Sequence, residues 1–394
     1  MSVLRHLSPT ASPLPVTTWL CGLWSQPAAA DDFAGTLRAY LGVPYVFMAA
    51  SGRTALRLLL ETLRRRPAFA ARYEVALPGY TCPSVAKVIV DAGLTPRPVE
   101  MDPATLNMTP EGVAAAVGAQ TLAVMVVHPF GLPVDTGPAA QAAAAHGALL
   151  IEDAAQSMGA RQAGLHVGTL HDVGLYSFGP GKPLSLGGGG LLATRDEQLA
   201  AELAATWAVL RPVGGLHATV AWARLGAFAL AFAPPVWGWA VRAGAQRIGE
   251  DERNWGYGLR GLASSQAAVG AALLGGLDAV NVQRRKRAEA MCAELAQCRG
   301  LRLPQPGGVT PEPIYLRLPI LAATEAHAQA LATAAAGLGA GRMYQRTLAE
   351  FFPNLGAPRL EGATTIARSL VTLPTHHHVT DADLVQLVKL ACRA

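Results

Sequence analysis

Residues 177–190 read SFGPGKPLSLGGGG, a loop rich in glycine and proline around a single lysine, Lys182. The chain has 32 basic residues, of which only four are lysines, at positions 87, 182, 286 and 389. The other three lie in helical patterns, whereas the glycines around Lys182 allow a ligand to approach the backbone closely. Arginine cannot form an imine because its guanidinium stays protonated, so a lysine in this loop indicates Schiff-base chemistry.

A carboxylate ends one of the predicted strands, because residues 149–153 read LLIED. Ligands of open α/β sheets bind outside the carboxyl ends of the strands, which makes Asp153, His128 and Ser177 candidates for one site. Taken alone, Asp153 would fit a helix N-cap or a metal ligand. An aspartate beside the pyridine nitrogen of pyridoxal phosphate (PLP) keeps that ring protonated and able to accept electrons. Lys182 and Asp153 together therefore predict a PLP site.

The phosphate of such a cofactor needs backbone N–H groups and hydroxyls at a helix N-terminus. Residues 50–56 read ASGRTAL and open a predicted helix directly after the apolar run 45–48. Ser51 is also a plain N-cap residue, and the two roles are compatible. We expect the phosphate to be bound by this turn and the lysine loop, through Gly52, Arg53, Thr54 and Ser177.

Between residues 46 and 200, short apolar runs alternate with alanine-rich helical patterns. This alternation is typical of βαβ units around a mostly parallel sheet, and it predicts the α/β fold class. The predicted strands are residues 74–77, 95–99, 122–128, 149–152, 174–177 and 191–194. The predicted helices are residues 53–65, 83–92, 110–116 and 136–146.

After residue 200 the pattern changes to long helices, and a second, smaller α/β domain follows. Residues 263–298 predict one long helix or two. A last helix is predicted over residues 382–391, after the N-cap Thr380. The predicted strands of this part are residues 301–303 and 314–318. We expect the chain to divide into an N-terminal arm (1–31), a large domain (32–245), and a linking helix with a small C-terminal domain (246–394).

Residues 221–241 are rich in Leu, Ala, Phe and Trp, but Arg224 and two prolines, Pro234 and Pro235, interrupt them. The uninterrupted part is shorter than the ~20 residues of a comfortable membrane span, so we predict no transmembrane helix. A helix that is apolar all round is normally buried, which favours a place at a domain or dimer junction. The alternative is an interfacial element that contacts a membrane surface or an acyl chain.

Charge and composition exclude several other classes of protein. The net charge is +5, but the basic residues form no stripe that would bind nucleic acid. The longest basic cluster, RRKR at 284–287, lies in a helical pattern and is interpreted as a solvated face. Five cysteines without paired spacing predict a reduced, cytoplasmic setting with no disulfide framework and no zinc site. Three adjacent histidines, residues 376–378, point in different directions, so we predict no metal site.

The motifs, in this order, resemble the sugar aminotransferase family often named after DegT and StrS, a branch of the PLP enzymes of fold type I. The resemblance covers nearly the whole chain from about residue 32. It is carried by SGRTAL (51–56), LPGYTCPSV (77–85), EDAAQSMGA (152–160), GTLHDVGLYSFGPGKPLSLGGGG (168–190) and LVTLPTHHHVTDADL (370–384). It implies an aspartate-aminotransferase-like fold, with a mixed, mostly parallel seven-stranded sheet flanked by helices and a smaller C-terminal domain. It also implies a homodimer with active sites at the interface.

The resemblance also assigns roles to residues of this chain. Lys182 would be catalytic, holding PLP as an imine and moving the proton. Asp153 would bind the pyridine nitrogen, and Gln156 would lie near the ring hydroxyl. Ser177 and the turn at 52–54 would hold the phosphate.

The chain also departs from the family pattern. Cys82 stands where the family usually stacks an aromatic ring on PLP, which leaves Tyr80 or an apolar neighbour to cover that face. Met158 replaces a common His, and Gly188 replaces a common Glu. The family loop GYNYR is GYGLR here, at residues 256–260, without the Asn. The residues assigned to the substrate are His128, Tyr257 and Arg260.

Relatives that remove a hydroxyl have His at the lysine position, so Lys182 favours transamination. The predicted reaction transfers an amino group from an amino acid, such as glutamate, to a keto substrate. The resemblance implies a nucleotide-linked keto-sugar, in polysaccharide or secondary-metabolite biosynthesis in the cytoplasm. Residues 221–241 leave open a lipid-linked or long-chain keto substrate, with peripheral contact at the membrane. A further alternative is a non-catalytic PLP-fold protein that acts in regulation or assembly.

Overall fold

The computed structural model describes residues 6–211, 213, 215–242 and 256–393. The predicted domain boundary at residues 245 and 246 lies outside them. In chain order the helices are α1 (Val16–Cys21), α2 (Ala29–Leu41), α3 (Gly52–Arg64), α4 (Pro83–Asp91), α5 (Pro110–Ala116), α6 (Gly137–His146), α7 (Glu197–Trp207), α8 (Leu216–Ala231), α9 (Pro234–Arg242), α10 (Ser264–Leu274), α11 (Leu277–Leu295), α12 (Glu325–Ala334), α13 (Leu348–Phe351), α14 (Glu361–Ser369) and α15 (Asp381–Ala391). The strands are β1 (Tyr45–Ala49), β2 (Glu74–Pro78), β3 (Thr95–Val99), β4 (Met101–Asp102), β5 (Asn107–Met108), β6 (Thr121–Val127), β7 (Leu149–Asp153), β8 (Arg161–Gln162), β9 (Leu165–His166), β10 (Val173–Ser177), β11 (Gly190–Thr194), β12 (Leu301–Arg302), β13 (Pro311–Glu312), β14 (Arg317–Ala322) and β15 (Leu370–Pro374).

Seven strands form one large sheet in the order β1-β11-β10-β7-β6-β2-β3. Strand β11 pairs antiparallel with both of its neighbours, and the other pairs are parallel. The mixed, mostly parallel seven-stranded sheet is therefore confirmed. Every strand and helix predicted between residues 53 and 194 is present, and no end differs from its prediction by more than one residue.

Helices cover both faces of this sheet because its strands are apolar on both sides. Leu56, Leu59 and Leu63 form a buried stripe at helical spacing on α3, and they pack on the same face as Leu175 and Leu192. The opposite face carries α2 and α10, which contact the neighbouring strand residues Tyr176 and Leu191. The carboxyl ends of β6, β7 and β10 are thereby held rigidly beside one another.

The C-terminal part has its own three-stranded sheet, in the order β12-β14-β15. The predicted strand at 314–318 is shifted, because β14 begins only at Arg317, after Tyr315 adopts a left-handed conformation (φ 48°). Strand β15, Leu370–Pro374, was not predicted. The predicted helix at 263–298 is two helices, α10 and α11, and the N-cap Thr380 is confirmed as half of a capping box with Asp383.

Two cysteines correct the prediction of a chain without disulfides. Cys298 and Cys392 form a disulfide, although 94 residues separate them in sequence. Cys298 follows the end of α11 and Cys392 follows the end of α15, and the packing of these two helices brings their ends together. Spacing in the sequence carries no signal of that contact. Cys21, Cys82 and Cys292 take no part in a disulfide among the described residues.

The apolar segment forms a helical hairpin, α8 and α9, which we call the hairpin. No single described helix is long and apolar enough to cross a membrane; the two hairpin helices reach that length and composition only together, and they bend by 84°. Within one chain most of the segment is not buried, so burial at a domain junction is not observed, and burial at a dimer junction stays a prediction. The inner side packs on α1 through Trp222, whose ring stacks on Trp19 at 4.2 Å between centroids. The outer side exposes Leu216, Leu230 and Trp239.

The basic cluster at 284–287 also needs a correction. Lys286 is exposed, as expected for a solvated face, but Arg284 is 1 % exposed and faces the interior. The helical period explains the difference, because positions 281, 284, 288 and 291 of α11 share the buried face. A run of four basic residues cannot all point to solvent on a helix that packs on one side.

Candidate active site

Asp153 and Lys182 lie in one site at the carboxyl end of the large sheet. Asp153 ends β7, and its Oδ1 accepts the N–H of Ala155 at 2.9 Å. Among the described residues nothing donates a hydrogen bond to Oδ2, and the Lys182 amine donates none either. Burial raises the pKa of Asp153 above its ordinary value, while the Ala155 N–H and the positive charge of Lys182 oppose that rise. One oxygen and one amine are thus available to a ligand.

The backbone of the lysine loop folds back on itself. The N–H of Lys182 donates to the carbonyl of Gly179 at 3.2 Å, and the N–H of Gly179 donates to the hydroxyl of Ser177 at 3.3 Å. Gly181 requires glycine because its φ is +73° and an added Cβ would lie 2.4 Å from Cγ2 of Thr10. The loop therefore presents Lys182 close to the last residue of β10.

A cradle suited to an anion lies at the N-terminus of α3. The hydroxyl of Ser51 accepts the N–H of Thr54 at 3.0 Å, so Ser51 is the N-cap. A Cβ added to Gly52 would lie 3.8 Å from Oγ of Ser177, which brings the helix terminus and the lysine loop together. The site fits a phosphate, because backbone donors and hydroxyls converge at the positive end of a helix.

The segment 258–260 supports this cradle from behind. The Thr54 hydroxyl donates to the carbonyl of Gly258 at 3.0 Å, and the carbonyl of Arg260 accepts the N–H of Ala50 at 2.9 Å. The Arg53 guanidinium lies over the ring of Tyr257, 6.0 Å from its centroid. Arg53 can therefore serve the phosphate through its backbone N–H.

A mostly apolar cavity lies beside Gln156. Oε1 of Gln156 accepts the N–H of Phe130 at 3.0 Å, so its amide N–H groups remain to donate to a ring hydroxyl. Tyr80 is buried and its hydroxyl is directed at the carbonyl of Met343. The cavity is lined by Pro78, Tyr80, Thr81, Cys82, Met101, Leu106, Val127, Pro129, Phe130, Gln156 and Tyr344.

His128 is not placed to contact a substrate. It is fully buried, its Nε2 lies 3.3 Å from Oε2 of Glu152, and its Nδ1 accepts the N–H of Val134. Burial alone would raise the pKa of Glu152, but hydrogen bonds from His128 and from the Gly168 N–H hold it below its ordinary value. Both ring nitrogens have hydrogen-bond partners within the protein, so His128 stabilises the end of β7 through Glu152.

Tyr257 is likewise directed away from the lysine. Its hydroxyl donates to Oδ2 of Asp91 at 3.1 Å, at the far end of α4. Burial and then the Asp91 charge raise the pKa of Tyr257 to about 12. From the predicted loop 256–260, the carbonyls of Gly258 and Arg260 form the hydrogen bonds to the cradle.

Other site features had no signal in the sequence. Leu106, Phe130 and Tyr344 line the cavity with positive φ angles of 55°, 55° and 42°, a conformation that L-residues rarely adopt. Such backbone strain concentrates at functional sites. Among the residues that the structure describes, no cluster of His, Cys, Asp or Glu side chains is arranged to hold a metal ion.

Comparison with known families gives a match over most of the chain. The model of the DegT/DnrJ/EryC1/StrS aminotransferase family matches residues 19–390. The L-glutamine:2-deoxy-scyllo-inosose aminotransferase of Streptoalloteichus tenebrarius is 33 % identical over 312 residues, which cover 76 % of this chain and 66 % of that protein. The chain spans from 33 % to 66 % of the length of the first curated relatives it matches.

Solved structures show the same fold. The aminotransferase TlmJ from Streptoalloteichus hindustanus has a TM-score of 0.78 and 24 % identity, with 98 % of each chain covered. The E. coli GDP-4-keto-6-deoxy-D-mannose-3-dehydratase with bound hydrated PLP also has a TM-score of 0.78, at 17 % identity, with 98 % of this chain and 100 % of that chain covered. The PLP fold type I architecture is therefore shown.

Proposed function

Because the chain belongs to the DegT/DnrJ/EryC1/StrS aminotransferase family, whose cofactor is PLP, we propose that it transfers an amino group from an amino acid to a keto substrate. The observation that carries this proposal is the pair of unsatisfied groups in the site. Among the described residues, Oδ2 of Asp153 and the Lys182 amine receive no hydrogen-bond partner, and they lie near the mostly apolar cavity and the anion cradle. A PLP site needs each of these features.

Each residue of the site has a separate task in this proposal. When bound, PLP supplies an aromatic ring that accepts electrons. Asp153 holds the proton on the pyridine nitrogen, and the Gln156 amide donates to the ring hydroxyl. Ser177 and the backbone N–H groups of residues 52–54 fix the phosphate. The Lys182 amine would hold the cofactor and would carry the proton from the donor carbon.

The first test is a half-reaction with glutamate and glutamine as donors. The purified chain, loaded with PLP, is mixed with each donor in the absence of a keto acceptor. We expect the yellow absorbance to disappear and one equivalent of keto acid to form per bound cofactor. If the yellow absorbance persists and no keto acid forms, although PLP is bound and borohydride fixes it to Lys182, a non-catalytic PLP-fold protein is favoured.

For the acceptor we propose a nucleotide-linked keto-sugar, made in the cytoplasm for polysaccharide or secondary-metabolite biosynthesis. Names of relatives support a polyol-derived or sugar ketone, as in GDP-perosamine synthase of Caulobacter vibrioides and the inosose aminotransferases. A panel of keto-sugar nucleotides and long-chain ketones, offered to the pyridoxamine form, separates these classes. Return of the yellow absorbance identifies the acceptor.

A second candidate acts at a membrane surface on a lipid-linked or long-chain keto substrate. The hairpin favours it, because its outer side exposes Leu230 and Trp239 and neither helix contains an acidic residue. Arg224 adds a positive charge that suits anionic headgroups. In a flotation assay with phosphatidylglycerol vesicles, L230S/W239S should lose binding, while V385S, at an exposed position of α15, should keep it. Equal flotation of all three proteins would reject this candidate.

We also propose that the chain forms a homodimer with its active sites at the interface. The GYGLR loop supports this, because its backbone packs on the cradle of its own chain while Gly256 and the side chain of Leu259 are exposed. Light scattering on the PLP-loaded protein should give twice the chain mass of 41.0 kDa. A single chain mass over the whole concentration range would reject the dimer.

A further inference from the structure

Arg284 is a buried cation without an acidic partner. Its side chain is 1 % exposed, and among the described residues no carboxylate lies within ion-pair distance of it. Nη1 donates to Oδ1 of Asn281 at 2.9 Å, and Nη2 donates to the carbonyl of Ala11 at 3.2 Å and to Oγ of Ser12 at 3.1 Å. A buried charge is costly unless it is paired or hydrogen-bonded, so its retention needs a reason.

Two of the three partners of Arg284, Ala11 and Ser12, belong to residues 7–12, which we call the strap. On one side the strap holds the lysine loop by its backbone. The Thr10 hydroxyl donates to the carbonyl of Gly181 at 3.0 Å, and the Ser12 hydroxyl donates to the carbonyl of Lys182 at 2.7 Å. The close approach of Thr10 to Gly181 leaves no room for a side chain there.

On its other side the strap is held by the C-terminal part of the chain. The N–H of Leu7 donates to the carbonyl of Gly337 at 3.0 Å. Nε2 of His376 donates to the carbonyl of Ser8 at 2.8 Å. The strap therefore lies between the lysine loop and the elements that carry Arg284 and His376, with Leu7 and Ser8 fully buried.

We propose that Arg284 is a positioning residue for Lys182 and acts through the hydroxyl of Ser12, an inference that rests on the proposed cofactor role of Lys182. Arg284 is a donor only, so Ser12 must accept from it. The single hydroxyl proton of Ser12 is then donated to the lysine loop, where the carbonyl of Lys182 lies at 2.7 Å and that of Pro183 at 3.4 Å. A charge-assisted donor also polarises the second hydrogen bond and strengthens it. The charge thus fixes the backbone from which the reactive amine extends.

The first test needs no cofactor and measures hydrogen–deuterium exchange in the PLP-free protein. We expect R284M and S12A to raise the exchange rate of loop amides in residues 178–190 by about tenfold, since each loses one anchor of the loop. K286A changes an exposed residue of the same helix and should leave the exchange rates of those amides unchanged. Unchanged exchange in both R284M and S12A would overturn the inference.

The second test measures the half-reaction with glutamate. R284M should lower its rate constant by about 10²-fold, because small misplacements of a reacting group have effects of that size, while KM for glutamate changes less than about threefold. R284K should recover part of the rate, and the pH midpoint of the cofactor absorbance should shift in R284M. If R284M does not fold, S12A and S12T test whether Arg284 acts through the Ser12 hydroxyl. A lower rate in S12A with the parent rate in S12T supports the inference. An unchanged rate in S12A rejects it.

The two tests separate this inference from the proposed function. If the parent protein neither binds PLP nor reacts with glutamate, the proposed function fails, yet the exchange measurement still reports whether Arg284 holds the loop. If PLP binds and the loop amides respond only to K286A, the function stands and the role of Arg284 is rejected.

Discussion

The cofactor site and the hairpin are opposites in their use of polar and apolar groups. In the site, Oδ2 of Asp153 and the Lys182 amine have no hydrogen-bond partner among the described residues. In the hairpin, large apolar side chains such as Leu230 and Trp239 are exposed in the part of the chain that the structure describes. Each region is therefore incomplete by itself, and the chemistry of its surface indicates what completes it: a charged aromatic cofactor in one case, an apolar surface in the other.

The largest expected effect separates the two regions most clearly. Lys182→Ala should abolish the yellow absorbance and lower the half-reaction rate by at least about 10³-fold, because one residue loses both its nucleophilic and its acid–base role. Flotation with vesicles should not change, since the hairpin is untouched. Lys286→Ala serves as the matched lysine control and should behave like the parent. If the Lys182→Ala protein still carried out the half-reaction at the parent rate, the role proposed for Lys182 would be wrong.

The next effect tests why the carboxylate is kept in the site. Asp153→Asn should lower the half-reaction rate by about 10²-fold, because an amide cannot stabilise the protonated pyridine nitrogen. The stability should move the other way. Since burial raises the folded-state pKa of Asp153, the PLP-free protein is destabilised by its ionised form as pH rises above the unfolded-state value. Asp153→Asn removes that penalty, so urea unfolding at neutral pH should show no loss of stability; a loss would contradict this account.

The site and the hairpin also differ in how well the sequence predicted them. Lys182 and Asp153 were identified in advance because PLP chemistry needs an amine and a carboxylate, whereas Gln156 came from the resemblance to the family. The strands β7 and β10, which precede Gln156 and Lys182, differ from prediction by at most one residue. The roles of these residues in catalysis stay predictions. The apolar character of residues 221–241 was also visible, but its exposure depends on where the hairpin packs. Residue types do not encode that position.

Long-range packing explains the other errors. His128 lies at a strand end like Asp153. Only the position of Glu152 on the adjacent strand shows that the ring of His128 is engaged in a hydrogen bond within the fold. Arg284 belongs to a polar-looking run, and its burial follows from the rotation of α11 against the strap. The Cys298–Cys392 pair joins two helix ends. In each case the deciding partner is remote in sequence and has no periodic or motif signal.

A smaller effect concerns the strap, which touches both regions. The carbonyl of Ser8 accepts from His376, and its hydroxyl donates to the carbonyl of Phe232 at the end of α8. Burial lowers the pKa of His376 to about 3, far below its unfolded value. The unfolded state binds more protons between these values, so stability is lost as pH falls below about 6.5.

This linkage has a measurable size. Between pH 7 and pH 5 the parent should lose about 2 kcal/mol of unfolding free energy more than His376→Gln, which retains a donor for Ser8 but does not titrate. Urea unfolding at both pH values measures the difference. Equal losses in the two proteins would show that His376 is not the group responsible.

The smallest expected effect is on the unfolding free energy when the exposed side chains of the hairpin are replaced. L230S/W239S should change the unfolding free energy by no more than about 0.5 kcal/mol, because both side chains already face solvent. Trp222→Ala should instead cost about 3 kcal/mol, because its ring stacks on Trp19. Both variants should keep the half-reaction rate of the parent. A strongly destabilised L230S/W239S protein would mean that its outer side is covered.

The strap also constrains the order in which the chain can acquire its final form. Ser12 and Lys182 are 170 residues apart, Ala11 and Arg284 are 273 apart, and Ser8 and His376 are 368 apart. During synthesis the strap leaves the ribosome before these partners do. Such distant closures are slow because chain entropy is lost before contacts form. We therefore expect the lysine loop to reach its final position only after the segments that carry Arg284 and His376 have been made.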